Sequence, residues 1–444
     1  MQTVAEIDVD PALARVHEHG WQSWTPTATY RVDEAPHRSR HELFRLLHCR
    51  ANAPVPGPEA FQGDGLLAVE TGHGAVHVVA APDGRTEVPT IRAELDGTRL
   101  RLTADAAVDH LVDEGDGGID GALARWADGV VSRLALPPVR PAPTVWCSWY
   151  HYFTDVTERD VDENLQAIEE VELPVDVVQL DDGYQAAIGD WLTLSDRFAS
   201  VGAMSRRIRD RGRRAGIWVA PFLAGADSRL AAEHPDWLVG GPQAPVSAGH
   251  NWGQDLAALD VTHPDAARYL TRVFSTMRDW GFDYFKIDFL YAGALHGRRH
   301  GTPDPLVAYR EGLDLIREAI GDAYLLGCGA PLLPSLGKVD AMRVSPDTGP
   351  DHEPLEGELC LPSTRSAMLT GAARAFQHGR FWVNDPDCLI VRPAVERREQ
   401  WASHVERYGG LMASSDRIAD LDEWGRQTTH RLLGKQVPTH LVGG

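Results

Sequence analysis

From Thr144 onward the sequence alternates short apolar runs with longer amphipathic segments, and this alternation limits the possible folds more than any other feature. The runs have the length and composition of buried strands, and the segments between them have helical periodicity. The strand candidates are Thr144–Trp149, Val175–Leu180, Gly216–Ala220, Asp283–Ile287, Tyr324–Gly327, Ala341–Val344, Arg380–Val383 and Gly410–Ala413. The helical candidates are Thr157–Val171, Ala199–Arg213, Pro264–Trp280, Pro305–Ile320, Ser363–His378 and Pro393–Tyr408. Eight strands alternating with helices predict an α/β fold, a (β/α)8 TIM barrel, rather than an open doubly wound sheet.

The first part of the chain has a different pattern, in which Asp-Gly turn signals separate short alternating runs. These runs predict strands at Leu66–Glu70, Ala75–Ala80, Thr90–Leu95 and Thr98–Thr103. The pattern is typical of an antiparallel β-sandwich, which we expect over residues 1–135. The proline-rich stretch Val130–Pro143 indicates a linker, assigned to residues 136–143. The barrel is then expected over residues 144–435, with a tail over 436–444.

The composition excludes several classes of function. A net charge of -21 argues against a nucleic-acid backbone or an anionic membrane as partner. No apolar run approaches the ~18–20 residues of a membrane span, and the N-terminus lacks the features of a secretory signal. The five cysteines are scattered and form no C-x-x-C pair, so a cytoplasmic location is expected. Nucleotide-binding and metal-binding motifs are absent from the sequence, so no cofactor and no metal are expected.

Polar and aromatic residues stand at or just after the ends of the strand candidates. They are Trp149, Tyr150, Asp181, Asp182, Trp218, Lys286, Asp288, Cys328, Arg343 and Asp347. Because a barrel places its chemistry at the C-terminal ends of its strands, we expect these side chains to share one mouth. Carboxylates and cations bind hydroxyl groups, and tryptophan packs on the apolar face of a sugar, so a polyhydroxylated ligand is indicated.

Two carboxyl groups in this set fit glycoside hydrolysis, which needs a nucleophile and an acid/base. Lys286 and Asp288 lie two residues apart and point to the same side of one strand, so Lys286 would favour an ionised Asp288. Taken alone, this pair also fits a structural ion pair. Asp347 follows Ser345 and Pro346 in a loop, from which it can reach the other side of the scissile bond. The residues leave open which carboxyl group has the raised pKa.

Further along the chain, the run NDPD places Asp385 and Asp387 after the seventh strand candidate. Stabilisation of a turn, with the Asp side chains accepting from backbone N–H groups, fits these two residues at least as well as contact with a ligand.

Nine blocks of the barrel, in the same order, resemble the compact bacterial α-galactosidases of glycoside hydrolase family thirty-six, in clan D. The blocks are WCSWYHYFTDVTE, QLDDGY, GDW, GIWVAPF, EHPDW, YFKIDFLYAGA, LLGCGAPLLP, VDAMRVSPDT and RFWVNDPDCLIVR. The run GWQSW at Gly20–Trp24 is similar to the tryptophan-bearing loop with which the family's N-terminal domain reaches the sugar site.

The resemblance implies a retaining, exo-acting and metal-independent α-galactosidase with Asp288 as nucleophile and Asp347 as acid/base. It implies that Asp181 and Asp182 bind the axial O4 and the O6 of galactose. It also implies a further set of sugar-contacting residues, Trp218, Lys286, Cys328, Arg343, Trp149, Tyr150, Trp24 and Trp21. The family usually carries a β-sandwich after the barrel, and we expect that domain to be absent or much reduced here.

The expected partner is a small-molecule α-galactoside, with neither a nucleic acid nor a membrane. Two alternatives use the same site, namely a galactosyltransferase of the raffinose-synthase type and an α-N-acetylgalactosaminidase. A third alternative is a non-catalytic sugar-binding protein on a decayed barrel, which the presence of both carboxylates and Lys286 disfavours. The sequence does not distinguish a monomer from a homo-oligomer.

Overall fold

A computed structural model describes residues 1–39, 42–51, 53, 55–57, 59–302 and 304–435 of the chain. The expected C-terminal tail, 436–444, lies outside the described residues. None of the helices in the described ranges is both long and apolar enough to cross a lipid bilayer.

Two antiparallel sheets form the N-terminal part. Their strands are β1 (Gln2–Asp8), β2 (Arg15–Glu18), β3 (Ala28–Arg31), β4 (Phe61–Asp64), β5 (Leu66–Glu70), β6 (Val76–Ala80), β7 (Thr90–Asp96), β8 (Arg99–Ala104) and β9 (Asp109–Asp113). One sheet has the order β1-β8-β7-β4 and the other β3-β2-β5-β6-β9. Buried side chains of both sheets, including Phe61, Val69 and Ile91, form one apolar cluster between them. The predicted β-sandwich is confirmed, and the four predicted strands fall on β5 to β8.

Two helices in this part were not predicted. They are α1 (Glu42–His48) and α2 (Gly118–Leu134). Helix α2 buries Ile119, Leu123, Trp126 and Val130, at the spacing of one helical face. The linker predicted at Val130–Pro143 therefore starts too early, because its first five residues are the last turn of α2.

The remaining strands are β10 (Val145–Cys147), β11 (Val177–Leu180), β12 (Arg214–Val219), β13 (Leu223–Gly225), β14 (Ser247–Asn251), β15 (Gln254–Ala258), β16 (Phe282–Ile287), β17 (Tyr324–Gly327), β18 (Ala341–Arg343), β19 (Val383–Asp385) and β20 (Ala413–Ser414). Eight of them form one parallel sheet in the order β19-β18-β17-β16-β12-β11-β10-β20. The amide N–H groups of Gly410 and Leu411, just before β20, donate to the carbonyl of Asn384 in β19. These bonds join the two ends of the order, so the predicted (β/α)8 barrel is confirmed.

Helices follow the barrel strands along the chain. They are α3 (Trp149–Tyr152), α4 (Glu158–Glu170), α5 (Val201–Asp210), α6 (Arg229–Glu233), α7 (Pro264–Asp279), α8 (Pro305–Ile320), α9 (Thr364–Ala373), α10 (Arg398–Tyr408) and α11 (Glu423–Leu433). Thr157 caps α4, and the Asp160 side chain completes a capping box.

The seventh strand was placed three residues too early, at Arg380–Val383, whereas β19 spans Val383–Asp385. Its apolar signal came from Phe381 and Trp382, which precede the strand. Phe381 packs edge-on against Trp126 of α2, with ring centroids 6.0 Å apart. The apolar pair thus reflects docking of the N-terminal helix rather than a strand interior.

One buried arginine ties the GWQSW loop to the barrel. The Arg374 guanidinium donates to the carbonyls of Gln22 (3.0 Å), Ser23 (2.6 Å) and Thr25 (2.8 Å) in the loop. It also donates to the carbonyl of Val344, 3.0 Å away, just after β18. Burial lowers the pKa of Arg374 to about 9. Because four carbonyls depend on one side chain, this arginine fixes where the tryptophan loop meets the strand ends.

Candidate active site

The C-terminal ends of the barrel strands bring together the carboxylates singled out in the sequence. Asp181 and Asp182 directly follow β11, Asp288 directly follows β16, and Asp347 lies four residues after β18. Asp181, Asp182 and Asp288 are buried, while the Asp347 side chain is 31% exposed. Of these four carboxylates, Asp347 is therefore the one most open to solvent.

One cation organises the first group of side chains, here called the Lys286 cluster (Lys286, Asp181, Asp288 and Trp218). The Lys286 Nζ lies 2.9 Å from Asp181 Oδ2 and 3.9 Å from Asp288 Oδ2. Trp218 Nε1 donates to Asp288 Oδ2 at 3.0 Å, and the Phe289 amide donates to Asp288 Oδ1 at 2.8 Å. Both oxygens of the Asp288 carboxylate therefore accept a hydrogen bond, and one of them also lies near an ammonium group.

Asp182 is held from two sides. Gln185 Nε2 donates to Asp182 Oδ1 at 2.5 Å, and Trp252 Nε1 donates to Asp182 Oδ2 at 2.7 Å. Burial raises the pKa of Asp182 to about 6, although both of these hydrogen bonds oppose the rise. Both carboxylate oxygens are thus oriented, and each retains a lone pair for a further donor.

A second cation organises the Arg343 cluster (Arg343, Asp347, Asp385, Asp387 and Tyr150). Arg343 Nη1 lies 3.0 Å from Asp347 Oδ1, Nε lies 3.1 Å from Asp385 Oδ2, and Nη2 lies 2.7 Å from Asp387 Oδ1. The Tyr150 hydroxyl donates to Asp387 Oδ2. Because three carboxylates share one guanidinium, the cluster carries excess negative charge.

The surroundings of Asp347 in the Arg343 cluster change the pKa of its carboxyl group. Burial and the neighbouring carboxylate of Asp387 raise the pKa of Asp347 to about 7, and Asp288 adds to the rise, whereas Arg343 opposes it. Burial also raises the pKa of Asp387. A carboxyl group with a pKa near 7 can donate a proton at neutral pH and accept it back, as a general acid/base must.

Aromatic side chains border the same mouth. The Trp24 ring packs edge-on against Phe289, with centroids 5.0 Å apart. A Cβ atom at Gly329 would lie only 2.7 Å from this indole, so the close approach requires glycine there. Trp24 Nε1 is buried and has no hydrogen-bond partner within the described ranges. Trp149 is half-buried and packs edge-on against Phe153.

Two other predicted residues have different surroundings. Cys328 is fully buried after β17, and burial together with Asp288 raises the pKa of its thiol, so it stays protonated as a small wall residue. Trp21 lies under the Arg50 guanidinium, 5.5 Å from the ring centroid. It lines a cavity with Val88 and Tyr291 rather than the carboxylate clusters. The structure thus brings Trp24, but not Trp21, to the clusters.

Sequence reasoning missed Trp252 and the role of Asp387. Trp252 lies in a hairpin that was not predicted, because its turn residues Trp252 and Gly253 differ from the Asn-Gly and Asp-Gly pairs that signal a two-residue turn. For Asp385 and Asp387, turn stabilisation and ion pairing occur together. The Asp387 amide donates to Asp385 Oδ1 at 3.0 Å while both side chains contact Arg343.

No group of three or more His, Cys, Asp or Glu side chains is arranged to hold a metal ion in the part of the chain that the structure describes. The described side chains themselves supply a carboxylate at Asp288 that accepts two hydrogen bonds beside an ammonium, and a carboxyl group at Asp347 whose pKa is raised to about 7.

The chain is similar in sequence and in structure to known α-galactosidases. A family model described as Melibiase matches residues 115–295. The structure of TtGalA, an α-galactosidase from Thermus thermophilus in complex with p-nitrophenyl α-D-galactopyranoside, is 31% identical, with a TM-score of 0.80. That match covers 96% of this chain and 87% of TtGalA.

More distant relatives match over shorter stretches. The sequence of α-galactosidase AgaA from Geobacillus stearothermophilus is 26% identical over 172 residues, which are 36% of this chain and 23% of AgaA. A probable α-galactosidase C from Aspergillus flavus is 25% identical over 278 residues, which are 56% of this chain and 35% of the relative. The chain therefore spans about a quarter to a third of the length of these curated relatives. The crystal structure of AgaA, a GH36 enzyme, shares the fold, with a TM-score of 0.64.

Proposed function

The chain belongs to the α-galactosidases of glycoside hydrolase family thirty-six, and from that membership we propose that it is a retaining, exo-acting α-galactosidase. It hydrolyses terminal α-galactosyl residues of oligosaccharides through a covalent glycosyl-enzyme. The observation that carries the proposal is the contrast between two carboxyl groups at one mouth. Asp288 accepts two hydrogen bonds beside an ammonium, while the pKa of Asp347 is raised to about 7.

In the first step the Asp288 carboxylate attacks the anomeric carbon. The Asp347 carboxyl group donates its proton to the departing glycosidic oxygen, which leaves as an alcohol. The product of this step is a β-linked galactosyl ester on Asp288, and Asp347 is now an ionised carboxylate. In the second step Asp347 removes a proton from water, which attacks the same carbon and releases α-galactose and the free Asp288 carboxylate.

The remaining residues of the site are proposed to bind the sugar in different ways. Asp181, Asp182 and Lys286 bind galactosyl hydroxyls, and the Trp218 and Trp24 rings form walls on which the apolar face of the sugar packs. Arg343, Tyr150, Trp149 and Cys328 complete the pocket around Asp347 and Asp288, and Trp21 supports the tryptophan loop. Exo action requires that this pocket admit only the terminal sugar.

The setting is expected to be cytoplasmic, with a small α-galactoside as the only partner that the proposal requires. All five cysteines are described, and each is a free thiol. Unpaired thiols of this kind fit a reducing compartment.

The experiment is hydrolysis of a panel of 4-nitrophenyl α-glycosides, with the anomer of the first product followed by NMR. We expect turnover of the α-galactoside, α-galactose as first product, and losses of roughly 10³-fold or more in both Asp288→Ala and Asp347→Ala. Asp314→Asn, at an exposed carboxylate paired with Lys338, is the matched control and keeps activity. Undiminished turnover in either active-site variant, or β-galactose as first product, would overturn the proposal.

A further inference from the structure

An unpredicted hairpin presents a tryptophan in a backbone conformation that tryptophan rarely adopts. Asn251 at the end of β14 pairs with Gln254 at the start of β15, so Trp252 and Gly253 form the whole turn. Their φ angles are 51° and 70°. Two-residue turns with positive φ at both positions favour Asn, Asp and Gly, and a bulky side chain there is a steric outlier. Such strain persists only where surrounding contacts hold it.

The contacts that hold Trp252 point into the sugar site. Its Nε1 donates to Asp182 Oδ2 at 2.7 Å, on the side of the carboxylate opposite Gln185. Its ring centroid lies 5.0 Å from that of Phe289 and 6.4 Å from that of Trp218. Trp218 in turn donates to the nucleophile candidate Asp288. The Trp252 indole therefore closes the side of the pocket that lies between the Asp182 and Asp288 carboxylates.

The base of the hairpin is fixed on two sides. The Tyr291 hydroxyl donates to the carbonyl of Ala248 at 2.5 Å. Gly249 has a φ of 100° and lies so close to Leu47 of α1 that a Cβ atom there would be 2.6 Å from the Leu47 side chain. The base of the hairpin that carries Trp252 is thus held between the barrel and the N-terminal part.

We infer that Trp252 is a positioning residue of the sugar site, whose indole N–H orients the Asp182 carboxylate toward a galactosyl hydroxyl and whose ring closes that side of the pocket. The inference rests on the proposed function, because it takes the ligand of Asp182 to be a galactosyl unit.

A pH signature follows from the groups that face Asp182. Burial raises its pKa to about 6, Asp181 and Asp288 add to the rise, and the hydrogen bonds from Gln185 and Trp252 oppose it. Removing the indole N–H takes away one opposing contact, so the pKa of Asp182 rises further. The Asp182 carboxylate then becomes protonated at a higher pH than in the wild type. The acid limb of the pH profile of kcat/KM therefore moves to higher pH.

The test compares Trp252→Phe with the wild type on 4-nitrophenyl α-galactoside. We expect KM to rise by about 10-fold, because Asp182 loses a charge-assisted hydrogen bond that orients it. We expect kcat to change less than about 3-fold and the acid limb of kcat/KM to shift to higher pH. Trp424→Phe is the matched control, since Trp424 is half-buried on α11 beneath the Arg398 guanidinium.

Two further variants separate positioning from folding. Trp252→Asn suits the turn, so it should fold with a Tm near that of the wild type and still show the rise in KM. In an Asp182→Asn background, Trp252→Phe should cause no additional loss, because its effect passes through that carboxylate. An unchanged KM and pH profile in Trp252→Phe, or full additivity with Asp182→Asn, would overturn this inference alone. An inactive wild type would overturn the proposed function and this inference with it.

Discussion

The Lys286 cluster and the Arg343 cluster are built from the same kinds of groups, but their charge balance differs. Lys286 faces two carboxylates, whereas Arg343 faces three. With every group ionised, the first cluster would carry one net negative charge and the second would carry two. Burial raises the pKa of Asp347 to about 7 and the Asp387 carboxylate adds to the rise, so a proton is held readily at the Arg343 cluster.

This difference gives the two aspartates different electrostatic surroundings. Asp288 receives hydrogen bonds from an indole and an amide and faces an ammonium, so its charge is stabilised. Burial and the Asp387 carboxylate disfavour the charge of Asp347, and the Arg343 guanidinium that it contacts also pairs with Asp385 and Asp387. A pair of titratable groups whose environments differ in this way is what a nucleophile and an acid require.

The largest expected effect comes from removing the cation of the first cluster. Lys286→Met leaves Asp181 and Asp288 facing each other without the ammonium, and breaking a buried charge pair costs about 3–5 kcal/mol. Asp288 then holds a proton more readily and is a weaker nucleophile. We expect kcat/KM on 4-nitrophenyl α-galactoside to fall by roughly 10³-fold, measured by steady-state kinetics.

Lys338→Met is the matched control, because Lys338 pairs with Asp314 outside the mouth. Near-normal activity in Lys286→Met would mean that the Lys286 ammonium is not needed to keep Asp288 reactive. That result would contradict the proposed difference between the two clusters.

A smaller effect is expected from lowering the negative charge of the second cluster. The pKa of Asp347 near 7 predicts an alkaline limb of kcat/KM near that pH, because the acid loses its proton there. Asp387→Asn removes the carboxylate that most raises this pKa after burial, so the limb should move about one unit to lower pH. If the alkaline limb stays at the same pH in a folded Asp387→Asn variant, the Asp387 carboxylate does not determine the pKa of the acid Asp347.

The smallest effect concerns stability. The pKa of Asp347 rises from 3.8 to about 7 on folding, so the native state is penalised as pH increases through that interval, and the full penalty is present above it. Asp347→Asn removes the charge. We expect its Tm to exceed that of the wild type by roughly 2–5 °C at pH 8, with a smaller difference at pH 5. An equal or lower Tm at pH 8 would contradict the unfavourable charge at this site.

Much of the fold could be predicted, because buried parallel strands leave apolar runs and helix starts leave caps such as Thr157. The strand ends also singled out Asp181, Asp288 and Asp347, whereas the role of Asp387 in the Arg343 cluster was missed. The error at β19 arose because Phe381 is apolar for its contact with Trp126 rather than for a strand interior. A single sequence does not separate these two causes of hydrophobicity.

The parts of the site that escaped prediction depend on contacts between distant residues. Trp252 donates a hydrogen bond to Asp182, which lies 70 residues away in the sequence. The turn that holds Trp252 in this position also contradicts the usual residue preferences. Arg343 meets Asp385 across 42 positions, and Asp385 and Asp387 also form the turn bond that the sequence suggested. Local pattern predicted the turn, but the sharing of one guanidinium by three carboxylates is a property of the folded barrel.

The central claim is that Asp288 is the nucleophile and Asp347 the acid/base. The most direct measurement is the anomeric configuration of the galactosyl azide formed when azide restores activity to Asp288→Gly and Asp347→Gly. We expect a β-galactosyl azide from Asp288→Gly, because azide takes the place of the missing nucleophile. We expect an α-galactosyl azide from Asp347→Gly, because azide attacks the β-linked enzyme ester. The opposite pair of products would reverse the two roles and contradict the account.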